Sequence, residues 1–500
     1  MLFNTVEFLI FFPVVTLLFF VMPRRLRYIW LLLASYFFYM CWNAKYGLLL
    51  LGTTFVTWLC GLVLGKIAAG TAPEKRRARS RKWCLAVAVV VNFGVLFVFK
   101  YFDFALVNLN RVLTRLHLQA LQSPFDLVLP VGISFFTFQA VGYVIDVYRG
   151  EVEPEKNFFR YALFLSFFPQ LVAGPIERSK NLLPQIQHLE RVEFVPEDVR
   201  YGLLAMALGL AQKMVIADRI GAIIDPVFAD FNSYSGAQII VAVLLFTVQL
   251  YCDFAGYSQI AIGAARVLGI RLMENFRAPY LSGSVKEFWR NWHISLTTWF
   301  TDYIYIPLGG NRKGKARKYL NTMIVFLISG LWHGANWSYV AWGGLNGIYQ
   351  ILQDATGQLR PKLYRALHIH TQSAGFKVVS RLVVTGLYSF SLVFFRATYF
   401  QEAIAILKRI VTTFQPMTLL STGVFDLFGS AQMLAVMIAA IGILFVLDYV
   451  TYTKGDCREV ILRQDVWVRW FIYFALIVAI LLFGVYGESY VQTQFIYFQF

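Results

Sequence analysis

The sequence predicts an all-α polytopic membrane protein, and three observations carry that prediction. Hydrophobic residues make up 58% of the 500 positions and charged residues only 15%, more apolar than a soluble core of this length requires. Apolar stretches near bilayer length recur along the whole chain, at 6–22, 28–42, 46–67, 83–99, 127–147, 158–176, 201–220, 239–262, 322–349, 378–395, 433–450 and 470–485. The polar connections between them gather the cationic residues. A chain in hydrocarbon must satisfy its backbone within each segment, so these stretches read as helices.

The first segment carries no cationic leader and no small-residue cleavage site before it, so a retained helix is expected, not a signal peptide. Arg24, Arg25 and Arg27 follow it, and Lys75, Arg76, Arg77, Arg79, Arg81 and Lys82 follow the third segment. By the positive-inside rule the N-terminus is extracytoplasmic. Lys454, Arg458, Arg463 and Arg469 precede the last segment, which places the C-terminus outside as well. The net charge of +17 is thereby read as topogenic and as contact with anionic membrane lipids; no nucleic-acid partner is inferred from it.

Pro130, Gly132, Pro169, Gly174 and Pro175 interrupt the segments at 127–147 and 158–176. Irregular backbone at membrane depth is tolerated only where protein or a water-filled cavity surrounds it. About ten to twelve crossings or re-entrant pieces around an internal cavity are therefore expected. With no internal repeat and no low-complexity linker, 1–500 reads as one integral domain, its motifs concentrated in 127–350 and an aromatic tail at 486–500.

Four features inside this frame bear on chemistry. Asp253 lies in an apolar segment beside Tyr251, Tyr257 and Ser258, where a carboxylate must be paired or protonated; a structural hydrogen bond is expected, with proton relay as the alternative. In SVKEFWRNWHISLTTWF, 284–300, Phe288, Trp292, Leu296 and Trp299 form an apolar stripe at helical spacing, which predicts one interfacial helix with His293 beside the stripe. Indole anchoring with an incidental histidine is the competing reading. Third, GLWHGANW places His333 in an apolar stretch that follows Arg312, Lys313, Lys315, Arg317 and Lys318. A helix leaving that run carries His333 roughly 22 Å inward. An imidazole there is a functional-site candidate unless it simply hydrogen-bonds between packed helices. Finally, the chain ends in FIYFQF, 495–500. So apolar a tail needs an apolar receiver, and Tyr497 could fold back to an extracytoplasmic opening or anchor at the interface.

Between these, Leu359, Leu363, Ala366 and Leu367 recur at helical spacing among Arg360, Lys362 and Arg365, predicting an amphipathic surface helix. The five cysteines show no C-x-x-C spacing, and His368 and His370, the pair that could bind a metal, lack further ligands, so neither a disulfide nor a metal site is expected.

The FWRNWHISLTTW, DYIYIPLGGNR, GLWHGANW, AWGGLNG, PVGISFFTFQAVGYVIDVYRG, FFPQLVAGPI and QLYCDFAGYSQIAIG stretches closely resemble membrane-bound O-acyltransferases, in the bacterial polysaccharide branch that includes alginate O-acetylation and teichoic-acid D-alanylation. The resemblance implies a ring of helices around a central tunnel. It gives His333 the family's catalytic histidine and His293 the second motif histidine. Neutral imidazole, favoured by desolvation, suits removal of a hydroxyl proton in acyl transfer. Trp332, Asn336 one turn beyond His333, Asp253 and Trp292 are candidates for positioning substrate. The tail resembles the C-terminal tyrosine motif of the D-alanylation machinery, which implies that Tyr497 is a covalent acyl carrier.

The implied reaction is transfer of an acetyl group from a cytoplasmic thioester, acetyl-CoA or an acyl-carrier protein, to an extracytoplasmic hydroxyl. An extracytoplasmic serine-hydrolase-like acetyltransferase would then modify a polysaccharide, since the chain has no G-x-S-x-G elbow. Direct transfer to the polysaccharide without a tyrosine intermediate is the alternative. A glycan or lipid transporter using His333 and Asp253 is the alternative outside enzymology.

Overall fold

The structure, a computed structural model, describes residues 1–125, 127–419 and 422–485. Every regular element among the described residues is helical. The chain groups into two compact units, one of Met1–Leu203 with Ile260–Met273 and one of Leu204–Gln259 with the described residues from Glu274 onward.

The first unit opens with α1 (Val6–Val21), α2 (Arg27–Met40) and α3 (Ala44–Ala69). Next come α4 (Glu74–Leu96), a π-helical turn Phe97–Tyr101 and α5 (Phe102–Arg115), which run on as a single 42-residue helix, cationic at its start and apolar beyond Lys82. Then follow α6 (Ile133–Arg149) and α7 (Phe158–Ser166), both shorter than their apolar runs. The cause is the anticipated irregular backbone. Gly132 takes φ +75 at the start of α6, and a Cβ there would stand 2.6 Å from the Leu171 carbonyl oxygen. Phe167 leaves the helical region after α7. The Phe164 carbonyl that this break frees is taken up by the amides of Gln139 and Gln170, at 2.7 and 2.9 Å. Phe168 N–H donates to Ser35 Oγ at 3.1 Å. Protein groups thus replace the missing helix bonds, as burial requires.

Short helices at Phe168–Leu171, Ser179–Gln187 and Thr422–Phe425 aside, the helices that follow are α8 (Pro196–Leu210), α9 (Asp218–Ala229), α10 (Gly236–Val267), α11 (Val285–Asn291), α12 (Ile294–Phe300), α13 (Gly314–His333), α14 (Trp337–Ala355), α15 (Leu359–Ala366), α16 (Ala374–Arg396), α17 (Phe400–Thr412), α18 (Ala431–Lys454), α19 (Cys457–Leu462) and α20 (Val466–Phe483). Among the described residues six helical stretches are long and apolar enough to cross a bilayer: α3, the α4–α5 run, α10, α16, α18 and α20. The chain is thus a multi-pass membrane protein.

Two of the six differ sharply in surroundings. None of the most apolar window of α20 is buried in protein, whereas 78% of that of α10 is. A helix apolar on all sides that packs on protein along one side only, as α20 does through Ile472, Tyr473 and Leu476, turns the rest to lipid, and one enclosed by protein serves as a core column. The surface helix expected over 359–367 forms as α15, with Leu359, Leu363 and Leu367 exposed.

Two expected elements differ. The apolar run 322–349 is two helices, α13 and α14, broken at Gly334–Asn336. The stripe from Phe288 to Trp299 is likewise two short helices, α11 and α12, separated at Trp292 and His293, where His293 adopts φ +43 and ψ +55. All four stripe residues are nevertheless buried, so periodicity identified the buried face and missed the break.

Candidate active site

The site is built on the α13–α14 hairpin. Its two helices touch through glycine. A Cβ on Gly330 would stand 2.2 Å from the Tyr339 carbonyl oxygen, and one on Gly343 would stand 2.3 Å from that of Phe326. Gly344, next along, has only the Leu327 side chain at 3.6 Å. Gly330→Ala and Gly343→Ala should therefore each force the hairpin apart and destabilise the protein by about 1–3 kcal/mol, while Gly344→Ala stays near wild type. Thermal unfolding of the three purified variants in one detergent checks this; equal loss from Gly344→Ala would remove the close-contact explanation.

His333 is the last residue of α13, so Asn336 does not continue that helix one turn on. Asn336 instead caps α14, its side chain accepting from Ser338 N–H at 3.0 Å and its amide donating to the Thr398 carbonyl. The His333 ring is 4% exposed and meets the rings of Trp332 and Trp342 edge-on, both at 4.9 Å, and Phe395 at 5.3 Å. Trp332 also lies 5.7 Å from the His293 ring, so one indole separates the two histidines. His293 is 1% exposed and meets Phe254 of α10 edge-on at 4.6 Å.

Both histidines and Trp292 line one cavity of about 430 Å³. On α13 its lining residues are Lys318, Tyr319, Thr322, Val325, Phe326, Ser329 and His333, spaced as one helix face. From Lys318 to His333 that face measures roughly 22 Å. Lys286, Arg290 and Lys318 make one end of the cavity cationic, with Asp354 of α14 among them. Lys318 Nζ lies 2.5 Å from Asp354 Oδ1, and this hydrogen bond holds the Asp354 carboxyl below its usual range. The site therefore joins a cationic mouth to an aromatic, histidine-bearing floor.

Asp253 is held elsewhere. Its Oδ1 lies 2.5 Å from Lys213 Nζ, which also lies 2.8 Å from Asp218 Oδ1. All three residues are buried, and Lys213 sits on the π-helical segment Ala211–Ala217. The expected pairing of Asp253 is present, through a lysine that the apolar run 201–220 concealed. Tyr497 and the tail lie outside the described residues. Among the described residues no group of three or more metal-ligating side chains comes together.

Thr322, Ser329 and Gln350 of the cavity wall were missed by sequence reading. Stepping back from His333 by one turn of four residues reaches Ser329, and by two further turns, seven residues, Thr322 on the same face.

Comparison with known proteins places the chain in a family. Residues 153–394 match the sequence profile of the membrane-bound O-acyltransferase family. The probable alginate O-acetylase of Pseudomonas aeruginosa is 42% identical over 361 residues, 71% of this chain and 66% of that protein. The peptidoglycan O-acetyltransferase of Helicobacter pylori is 34% identical over 441 residues, 82% of this chain and 80% of that protein. The teichoic acid D-alanyltransferase of Streptococcus thermophilus is 32% identical over 262 residues, 49% of this chain and 61% of that protein. A multi-pass helical chain that pairs two cavity histidines and matches the alginate and peptidoglycan relatives over most of its length belongs to the membrane-bound O-acyltransferase family and is an O-acyltransferase.

Proposed function

We propose that the protein moves an acetyl group from a cytoplasmic thioester, acetyl-CoA, to an extracytoplasmic hydroxyl, for O-acetylation of a cell-envelope or exported polysaccharide. The observation that carries this reading is the single cavity that runs from Lys286, Arg290 and Lys318 to His293 and His333. Cationic side chains at the mouth suit the phosphates of a coenzyme A donor, and equally the acidic face of a carrier protein. The named activities of the alginate and peptidoglycan relatives support a polysaccharide acceptor.

In this reading His333 is the general base. It takes the proton of the acceptor hydroxyl as that oxygen bonds to the acyl carbon. The carbon–sulfur bond breaks, and the departing thiolate takes up the proton from the imidazolium. His293, on the same wall, donates a hydrogen bond to the thioester oxygen as negative charge develops there. Trp292 and Trp332 enclose the two imidazoles and exclude water. Asn336 fixes the turn after His333, and Asp253 steadies α10 through Lys213.

The acceptor oxygen is that of Tyr497, which carries the acetyl group to a separate extracytoplasmic serine-hydrolase-like acetyltransferase. Both chain termini then lie outside the bacterial cytoplasmic membrane. The test is mass spectrometry of the C-terminal peptide after incubation with labelled acetyl-CoA. The expected result is a label on Tyr497 that is lost in Tyr497→Phe and in His333→Ala. Tyr497→Phe that still supports full polymer acetylation establishes direct transfer instead.

A further inference from the structure

The short segment before α11 does not line the cavity, yet it governs where His293 can sit. Residues 275–277 run beside 291–295 and are tied to them on both sides of the histidine: Arg277 N–H donates to the Asn291 carbonyl at 3.0 Å, and Ile294 N–H donates to the Asn275 carbonyl at 2.9 Å. Between these bonds His293 takes a left-handed backbone conformation that non-glycine residues rarely adopt and that persists only where its surroundings impose it.

Asn275 supplies most of that imposition. Its Oδ1 accepts from Ser295 Oγ at 2.7 Å and from Ser295 N–H at 3.3 Å, and its amide donates to Ser258 Oγ of α10 at 3.0 Å. Asn275 and Ser295 are fully buried, and Ser258 is 2% exposed. The same α10 presents Phe254, one turn before Ser258, to the His293 ring. Phe276 bridges Phe254 and Trp292, 5.0 Å from the first ring and 5.1 Å from the second. Thus α10 holds His293 twice, directly by a ring edge and indirectly through Asn275.

We propose that Asn275, anchored on Ser258, is a positioning residue for His293: its side chain locks the strained turn that aims this imidazole into the acyl-transfer cavity. The inference rests on the reading of His293 as part of the transfer site. Asparagine suits the task because one planar side chain offers an acceptor to the turn and a donor to α10. Leucine would supply neither bond, and aspartate would lose the donor to Ser258.

Two readouts test the proposal. The first needs no substrate: diethyl pyrocarbonate modifies neutral imidazole, and peptide mass spectrometry follows His293 and His333 separately in the full-length protein. In Asn275→Ala the labelling rate of His293 should rise at least about fivefold while that of His333 stays within about twofold, because only one turn is released. Unchanged labelling of His293, or an equal rise at both histidines, overturns the proposal. If Asn275→Ala does not fold, Ser258→Ala carries the test. It removes only the anchor, and the same selective rise at His293 is expected.

The second readout is acetyl transfer from labelled acetyl-CoA. Asn275→Ala should lower kcat about tenfold or more with the donor KM nearly unchanged, and should cost nothing further in a His293→Ala background. Equal losses in both backgrounds would make Asn275 a general structural residue and sink the proposal. His293→Ala retaining full activity is a different result: it removes His293 from the chemistry and leaves the labelling outcome to judge the positioning alone.

Discussion

His333→Ala is expected to lower acyl transfer by about 10²–10⁴-fold, the range that a positioned general base contributes. Donor binding should change little, because the cationic mouth lies at the other end of the lining face, with Lys286, Arg290 and Lys318 untouched. The rate and the binding constant for labelled acetyl-CoA, measured on the same preparation, check both halves. The truncation leaves a void among Trp332, Trp342 and Phe395, so a melting temperature is needed beside the rate. A well-folded His333→Ala enzyme with near-normal turnover would take His333 out of the chemistry.

The second large effect concerns stability. Lys213 stands between two buried carboxylates at 2.5 and 2.8 Å. Lys213→Met would leave Asp218 and Asp253 facing each other without a countercharge, a loss of about 3–5 kcal/mol, since removing one partner strands the others in a medium of low polarity. The triple change Lys213→Met, Asp218→Asn, Asp253→Asn removes every charge of the cluster together and should regain most of that loss. Thermal unfolding in detergent decides the point. If the triple variant melts no higher than the single one, packing around the lysine stem, and not stranded charge, explains the loss.

The contrast between these two sites shows what sequence can carry. His333 was legible because an imidazole in an apolar run, a fixed distance from a cationic cluster, announces its depth by helix geometry alone. The helix does run unbroken from Gly314 to His333. The Lys213 cluster was only half legible: Asp253 demanded a partner, but its partner lay 40 residues earlier on a π-helical segment that no local pattern marks. The broken stripe at His293 has the same origin. Phe288, Trp292, Leu296 and Trp299 keep helical spacing, and nothing nearby says stop. What ends α11 there is capture of the turn by Asn275, 18 residues upstream, with Ser258 behind it. Local periodicity reports which face is buried; a long-range hydrogen bond decides where the helix may continue.

The opposite surroundings of α10 and α20 bear on how the protein meets membranes of different thickness. At 18 residues α20 measures roughly 27 Å, close to the hydrocarbon core of about 30 Å. At 32 residues α10 measures roughly 48 Å, far beyond it. Only a helix that touches lipid has to answer a mismatch by tilting or by drawing the bilayer with it. The strain of a thicker or thinner membrane therefore falls on the little-covered helices, α20 first and the α4–α5 run and α18 with it, none of which carries a lining residue of the cavity. Sheathed by protein, α10 can be as long as the histidine wall needs, and the enzyme should tolerate changes in acyl-chain length that reorient its periphery.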